Sequence, residues 1–344
     1  MRKIMTLAVL AVFTFFISTE MAFPQRGGRT QGGPIVVRLA SPVPRNSDWG
    51  RTLERVAGEW AKATNNQVQL RVIHDGIEGG EAKTLSSLAT NNIQASLFTS
   101  FGLAMISPEV MTLSVPFLIS NDTELSMVMR EVEPILEAKI SSANYVVLTW
   151  SKSGWVNVFS KDPVFVPDQL RKHRLATSPE SGELNTALRM MGFHLVETEM
   201  VDIGTRLANN TIDAIYQSPA AVAPLRIHRT LGNMLDIPIA PFVGAIVINR
   251  VTWNQFSPEQ QQELMRITRR IAAEFDATMP KTIENALTMM QKDGLTINRA
   301  TSEQQAQWRA ELQKVLPPLL GTTFDRDLYQ KIVEILERSR GGSR

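Results

Sequence analysis

The chain contains no cysteine and only four histidines in 344 residues. Without cysteine there are no disulfide staples, no thiolate zinc site, no cysteine nucleophile and no lipid-acylated cysteine. The histidines, His74, His173, His194 and His228, are scattered, and none forms an HExxH pair. No GxSxG, Walker A or GxGxxG pattern occurs, so nucleophile-elbow, P-loop and dinucleotide chemistry lack their signatures. A surplus of one charge is also missing. Thirty-six basic residues face 34 acidic ones, and the formal charge of +2 gives no field for nucleic acid or an anionic membrane.

A long hydrophobic run is present only at the start. Arg2 and Lys3 precede an apolar stretch from Ile4 to Ile17, shorter than the ~20 residues that span a bilayer and suited to a signal-peptide core. Cleavage near Ala22 is expected, although Glu20 stands where a small residue is preferred. Residues 1–24 are thus read as a signal peptide and 25–34, QRGGRTQGGP, as a flexible linker. Losing Arg2, Lys3 and Glu20 leaves a mature charge of +1. The mature protein is expected to be exported, soluble and periplasmic.

From residue 35 onward the chain alternates between two periods. Ile35–Leu39, Val68–Ile73 and Ile93–Phe98 read as strands. Between the first two, Trp49, Leu53, Val56 and Trp60 make one apolar helix face. This β-α-β-α-β order predicts a mainly parallel sheet covered by helices. Tyr145–Trp150 and Val156–Ser160 read as two strand runs on either side of Ser151–Gly154. A second α/β unit comes next, with strands at Arg174–Thr177, His194–Val196, Ile212–Tyr216 and Phe242–Ile248, and a helix across Leu184–Met191.

The C-terminal part is helical. Ser257-Pro258-Glu259-Gln260 has the capping-box pattern with proline at the first helical position. Apolar residues at three- and four-residue spacing then run from Leu264 to Met290, where Asp293-Gly294 ends them. Such a helix is ~50 Å long, kinked at Pro280, and long enough to brace two lobes. Thr301-Ser302-Glu303-Gln304 opens another helix, and Asp325–Arg338 supplies the last. The acidic pairs Glu131/Glu133 and Glu197/Glu199 read as solvated charge, and the loop Asp75–Gly80 as an ordinary strand-to-helix turn. An exported two-lobed α/β protein without a catalytic constellation points to a solute receptor that closes over its ligand. It is not expected to be an enzyme or to need a cofactor or metal.

An ordered series of segments carries a family resemblance. It comprises WAKATNNQVQLRVIHDG, GGEAKTLSSLATNNIQAS, SVPFLIS at Ser114–Ser120, W-x-x-x-G-W at Trp150–Trp155, FSKDPVFVPDQL at Phe159–Leu170, LANNTIDAIYQSP at Leu207–Pro219, and VINRVTWNQFSPEQQ at Val247–Gln261. From about Val36 to Leu328 the chain resembles the DctP family, the substrate-binding subunits of TRAP transporters. The resemblance implies a two-lobed periplasmic-binding-protein fold with crossing strands and a lobe-spanning helix. Residues 35–155 would form mainly lobe 1, 156–250 mainly lobe 2, and 251–344 the bracing and C-terminal helices. It also implies a TRAP-type membrane permease as partner, with no nucleic acid. A sensor or scaffold docking on a signalling partner is the alternative.

The family's ligand anchor is an arginine that forks onto a carboxylate. In the matching segment, Asp168 to Thr177, that position falls on Ala176, and a second arginine position falls on Val156. Arg174, two residues before Ala176, preserves strand parity and offers a carboxylate-binding alternative. The other positions carried over are Thr99, Phe101, Trp150, Trp155, Met200, Tyr216, Gln217 and Phe242. A pocket of these residues predicts a neutral or apolar ligand.

Overall fold

A computed structural model describes residues 33–179 and 182–341; the signal-peptide reading and nearly all of the linker lie outside them. Among the described residues are ten strands: β1 Ile35–Ala40, β2 Val68–Ile73, β3 Ala95–Thr99, β4 Tyr145–Ser160, β5 Arg174–Thr177, β6 His194–Glu197, β7 Ala214–Gln217, β8 Asn233–Leu235, β9 Ala240–Asn249 and β10 Thr296–Asn298. The α-helices begin with α1 Asp48–Ala63, α2 Glu81–Ala89, α3 Ser100–Ala104, α4 Asp122–Ser142, α5 Pro167–Leu170 and α6 Gly182–Met190. Then come α7 Ile203–Ala208, α8 Pro219–Leu225, α9 His228–Leu231, α10 Arg250–Trp253, α11 Pro258–Lys292, α12 Ser302–Leu319 and α13 Arg326–Gly341.

The strands run in the order β2-β1-β3-β9-β4-β7-β5-β6, with β8 pairing β4 and β10. β1 pairs in parallel with β2 and β3, and β5 in parallel with β6 and β7. Each set is thus an open α/β sheet, and β4 joins them by pairing antiparallel with β9 in the first and with β7 in the second. The two strand runs expected on either side of Ser151–Gly154 are one. β4 is one strand of 16 residues, because Ser151 and Lys152 stay in register with Gly244 and Val243 of β9. A bulge between Lys152 and Trp155 absorbs the polar stretch. The expected lobe boundary at residue 155 therefore falls inside a continuous strand.

Packing explains the helices. In α1, Leu53, Val56 and Trp60 are buried against β1 and β2, and Ser47 caps the first turn by accepting from the Gly50 N–H. α11 is a single helix of 35 residues whose Ser257–Gln260 capping box forms as the sequence predicts. Its first half buries Leu264, Ile267 and Ile271 in the first lobe's core with Val37 and Trp60. Its far end buries Met290 in a second-lobe cluster with Phe159 and Ile215. The last two helices divide: α12 places Trp308 and Leu312 against Leu175 and Leu184, while α13 places Ile332 and Ile335 against Val128 and Leu136. Within the described residues no helix is long and apolar enough to cross a membrane.

Candidate functional site

In open α/β sheets ligands bind beyond the carboxyl ends of the strands. On the first lobe that edge is the end of β3. The Thr99 N–H donates to Glu81 Oε1 at 2.6 Å, its hydroxyl donates to Oε2 at 2.7 Å, and the Gly102 N–H donates to Oε2 at 3.1 Å. The seat has no room for a side chain at position 102, since a Cβ there would lie 2.7 Å from Glu81 Oε1 and 2.5 Å from the Phe98 ring. Glu81, the first residue of α2, was not among the expected site residues. Its sequence signal is an acid directly after Gly79-Gly80 at a helix start.

On the second lobe the edge is formed by β5 and β7. Tyr216 is half-buried and packs on the cluster of Leu175, Leu184 and Ala214, an extended cluster on which Phe101 of α3 also packs. Burial pushes the Tyr216 phenol upward, keeping its hydroxyl protonated and a donor at neutral pH. Gln217 accepts the Ser218 N–H at 2.8 Å and stands opposite Asn157 of β4, whose amide donates to the Leu235 and Ile237 carbonyls at 3.1 and 3.0 Å. Trp155 is half-buried, and its indole N–H donates to Asp122 Oδ1 at 2.9 Å. Val156 is buried, and its carbonyl accepts the Ile239 N–H. Phe242 is half-buried on β9, while Met200 is 46% exposed.

Three expected positions belong elsewhere. Trp150 lies in the first lobe's core with Phe98 and Val243. Ala176 faces a core cluster with Ile203, Ile215 and Val222. Arg174 shares the parity of Ala176 but sits at the opening end of β5, away from the carboxyl edge. Its Nε and Nη2 donate to Asp213 Oδ2 at 3.0 and 2.6 Å, and its N–H donates to Asp213 Oδ1 at 2.7 Å. Burial alone would raise the Asp213 carboxyl, but Arg174 and His173 hold it below its ordinary range. A guanidinium so engaged would have to leave Asp213 to reach a ligand. With Trp150 and Ala176 in core, the premise of an apolar pocket also loses two of its walls.

The junction between lobes is polar inside. The Trp49 indole donates to Ser153 Oγ at 3.1 Å, Ser153 and Ser151 share a hydrogen bond of 3.0 Å, and the Lys152 N–H donates to Asp276 Oδ1 of α11 at 3.3 Å. Gly154 has φ +89°, and a Cβ there would lie 2.4 Å from Ile283 Cδ1 of α11. Burial pushes Asp276 up to about 6, with Glu133 adding to the rise and Lys152 and Ser151 opposing it. Glu133, expected as solvated charge, is also raised, by burial first and then by Glu137. Three histidines pair with carboxylates, His74 with Glu54, His173 with Asp213 and His228 with Asp293. Among the described residues no group of three His, Cys, Asp or Glu could hold a metal.

Known proteins share this architecture. The pattern of the DctP family, bacterial extracellular solute-binding protein, family 7, matches residues 39–320. The chain is 24% identical over 207 residues to the 2,3-diketo-L-gulonate-binding periplasmic protein of Escherichia coli, covering 59% of this chain and 62% of that protein's length. Its fold superposes on a TRAP periplasmic solute-binding protein of Chromohalobacter salexigens with bound D-glucuronate, with a TM-score of 0.80, 17% identity and coverage of 87% and 99% of the two chains. A TRAP periplasmic solute-binding protein of Ralstonia eutropha with bound (S)-2-acetolactate gives 0.82, 16%, 88% and 99%.

Proposed function

The chain belongs to the DctP family of bacterial extracellular solute-binding proteins, and from that premise we propose that it captures a small organic acid between its lobes and delivers it to a TRAP-type permease. The observation that carries the reading is the family match over residues 39–320, which takes in both sheets and the β4 and α11 that join them. Binding there is non-covalent, and the chain is a receptor rather than an enzyme.

The acid, rather than the neutral ligand expected from the sequence, is favoured by the solutes named for relatives of the same fold, D-glucuronate and (S)-2-acetolactate among them. With Arg174 held by Asp213, recognition falls to neutral groups, the Tyr216 hydroxyl, the Gln217 amide and backbone N–H groups. Neutral donors at a partly desolvated edge bind a carboxylate with geometry intact and less Coulombic gain than a guanidinium.

Calorimetry against uronates, hydroxy acids and keto acids, with fatty acids and neutral sugars as controls, tests the reading. Binding of an acid is expected, with at least a tenfold loss in Tyr216→Phe and little change in Arg174→Gln. Binding of fatty acids or sugars alone would overturn it.

A further inference from the structure

We propose that Thr177, Asn185 and Tyr216 form a subsite in the second lobe that recognises a hydroxyl group of the solute. The inference rests on the receptor reading and names a part of the ligand that reading leaves open.

The placement comes from register. Leu175 pairs with Ala214 and Ala176 with Ile215, so Thr177 stands beside Tyr216 at the carboxyl edge of β5 and β7. Strand alternation puts both on the face shared by Leu175 and Ala214, the face that α6 covers with Leu184 and Leu188. Asn185 projects from α6 toward the same edge, for its Nδ2 donates to the carbonyl of Ser178 at 3.0 Å. Phe101 of α3 packs on the same cluster, which joins Met111 and Val115 to Leu175 and Ala214.

Two polar atoms there have no partner. Asn185 is 0% and Thr177 8% exposed, and neither Asn185 Oδ1 nor Thr177 Oγ1 has a hydrogen bond. Buried polar groups are paired in folded proteins as a rule, so two orphans at one edge call for an occupant. The Ser178 carbonyl fixes the orientation of the Asn185 amide, because only the NH2 group can donate to it. Asn185 therefore presents an acceptor, Tyr216 a protonated phenol, and Thr177 a hydroxyl that both donates and accepts. A carboxylate cannot donate to Asn185 Oδ1, and an apolar group leaves all three unpaired. A hydroxyl, which donates once and accepts twice, satisfies the set.

The test uses the full mature chain and matched probes that differ by hydroxyls: L-malate with succinate, D-glucarate with adipate, and glucose with 2-methyltetrahydropyran as the neutral pair. The wild type is expected to bind the hydroxylated member of an acid pair at least tenfold more tightly. Asn185→Leu and Thr177→Val should each cut that preference to below twofold. Asn185→Leu also gives up the Nδ2 bond to the Ser178 carbonyl, so its melting temperature is recorded beside its binding. If it does not fold, Thr177→Val carries the comparison.

Equal binding of both acid members would overturn the subsite and leave the acid reading standing. Binding of the hydroxylated neutral probe without any acid would overturn the acid reading and keep the subsite. No binding of any probe to the wild type would overturn both. Variants that keep the preference would show that the two atoms hold a structural water only, which overturns the subsite.

Discussion

Gly102 is glycine because a carboxylate occupies the space its side chain would fill. A Cβ there would press on both Glu81 Oε1 and the Phe98 ring, neither at the loose end of an exposed chain. Gly102→Ala is expected to lower stability by about 1–3 kcal/mol, read as a fall in the urea midpoint at unchanged slope. Asp276 carries a different cost. Its carboxyl ionises near 6 in the fold against an ordinary 3.8. The fold therefore favours the protonated form, and the stability this contributes is full below 3.8 and lost as pH rises through 6. Asp276→Asn keeps an acceptor for the Lys152 N–H and removes the ionisation. It should exceed the wild type by on the order of 1–2 kcal/mol at pH 7.5, after discounting for partial exposure, with the gap closing by pH 4. A gap independent of pH in urea titrations would contradict this.

At the scale of elements, local signals held wherever the chain closes its own hydrogen bonds. The Ser257 capping box forms as read, and a second forms at Thr301 where a helix start was expected, because both partners of each bond lie within three residues. Ser257→Ala should cost about 1 kcal/mol, measured by thermal or urea unfolding. β4 went the other way. In sequence, serines and a glycine separate two strand runs, but β9 supplies ladder partners on one side while Asp276 and Trp49 hydrogen-bond the polar stretch. Gly154 is the one position in this strand that does demand glycine, by its positive φ and by Ile283 above it. Gly154→Ala should destabilise by about 1–3 kcal/mol.

At the scale of the molecule, α11 and β4 couple the two lobes, one as a brace packed into both cores and the other as a strand shared by both sheets. A receptor so built is expected to close by bending at a few junction residues while each core stays intact. Trp155 lies at that junction, half-buried and hydrogen-bonded to Asp122 at the start of α4. Bound solute should change the intrinsic fluorescence, and Trp155→Phe should abolish most of the change. A signal that survives the substitution would locate the reporter among the other tryptophans.

The sequence by itself determined the alternation of strands and helices, the capped start of the long helix and the family, since these rest on periodicity, caps and ordered segments that neighbouring residues carry. Tertiary structure decided which of the expected positions are buried and which polar atoms lack partners. Ala176 and Trp150 match the family's cleft positions in order along the chain, yet their side chains end in cores built by residues distant in sequence. Arg174 has the right parity and the wrong end of the strand, where Asp213 claims it. Glu81, Thr177 and Asn185 gave no comparable signal, because an acid at a helix start, a threonine ending a strand and an asparagine within a helix are ordinary in sequence. Only packing reveals that one carboxylate fills a seat at the cleft edge and that two polar atoms lie buried without partners. Burial and hydrogen-bond satisfaction are properties of the assembled neighbours, and no local pattern encodes them.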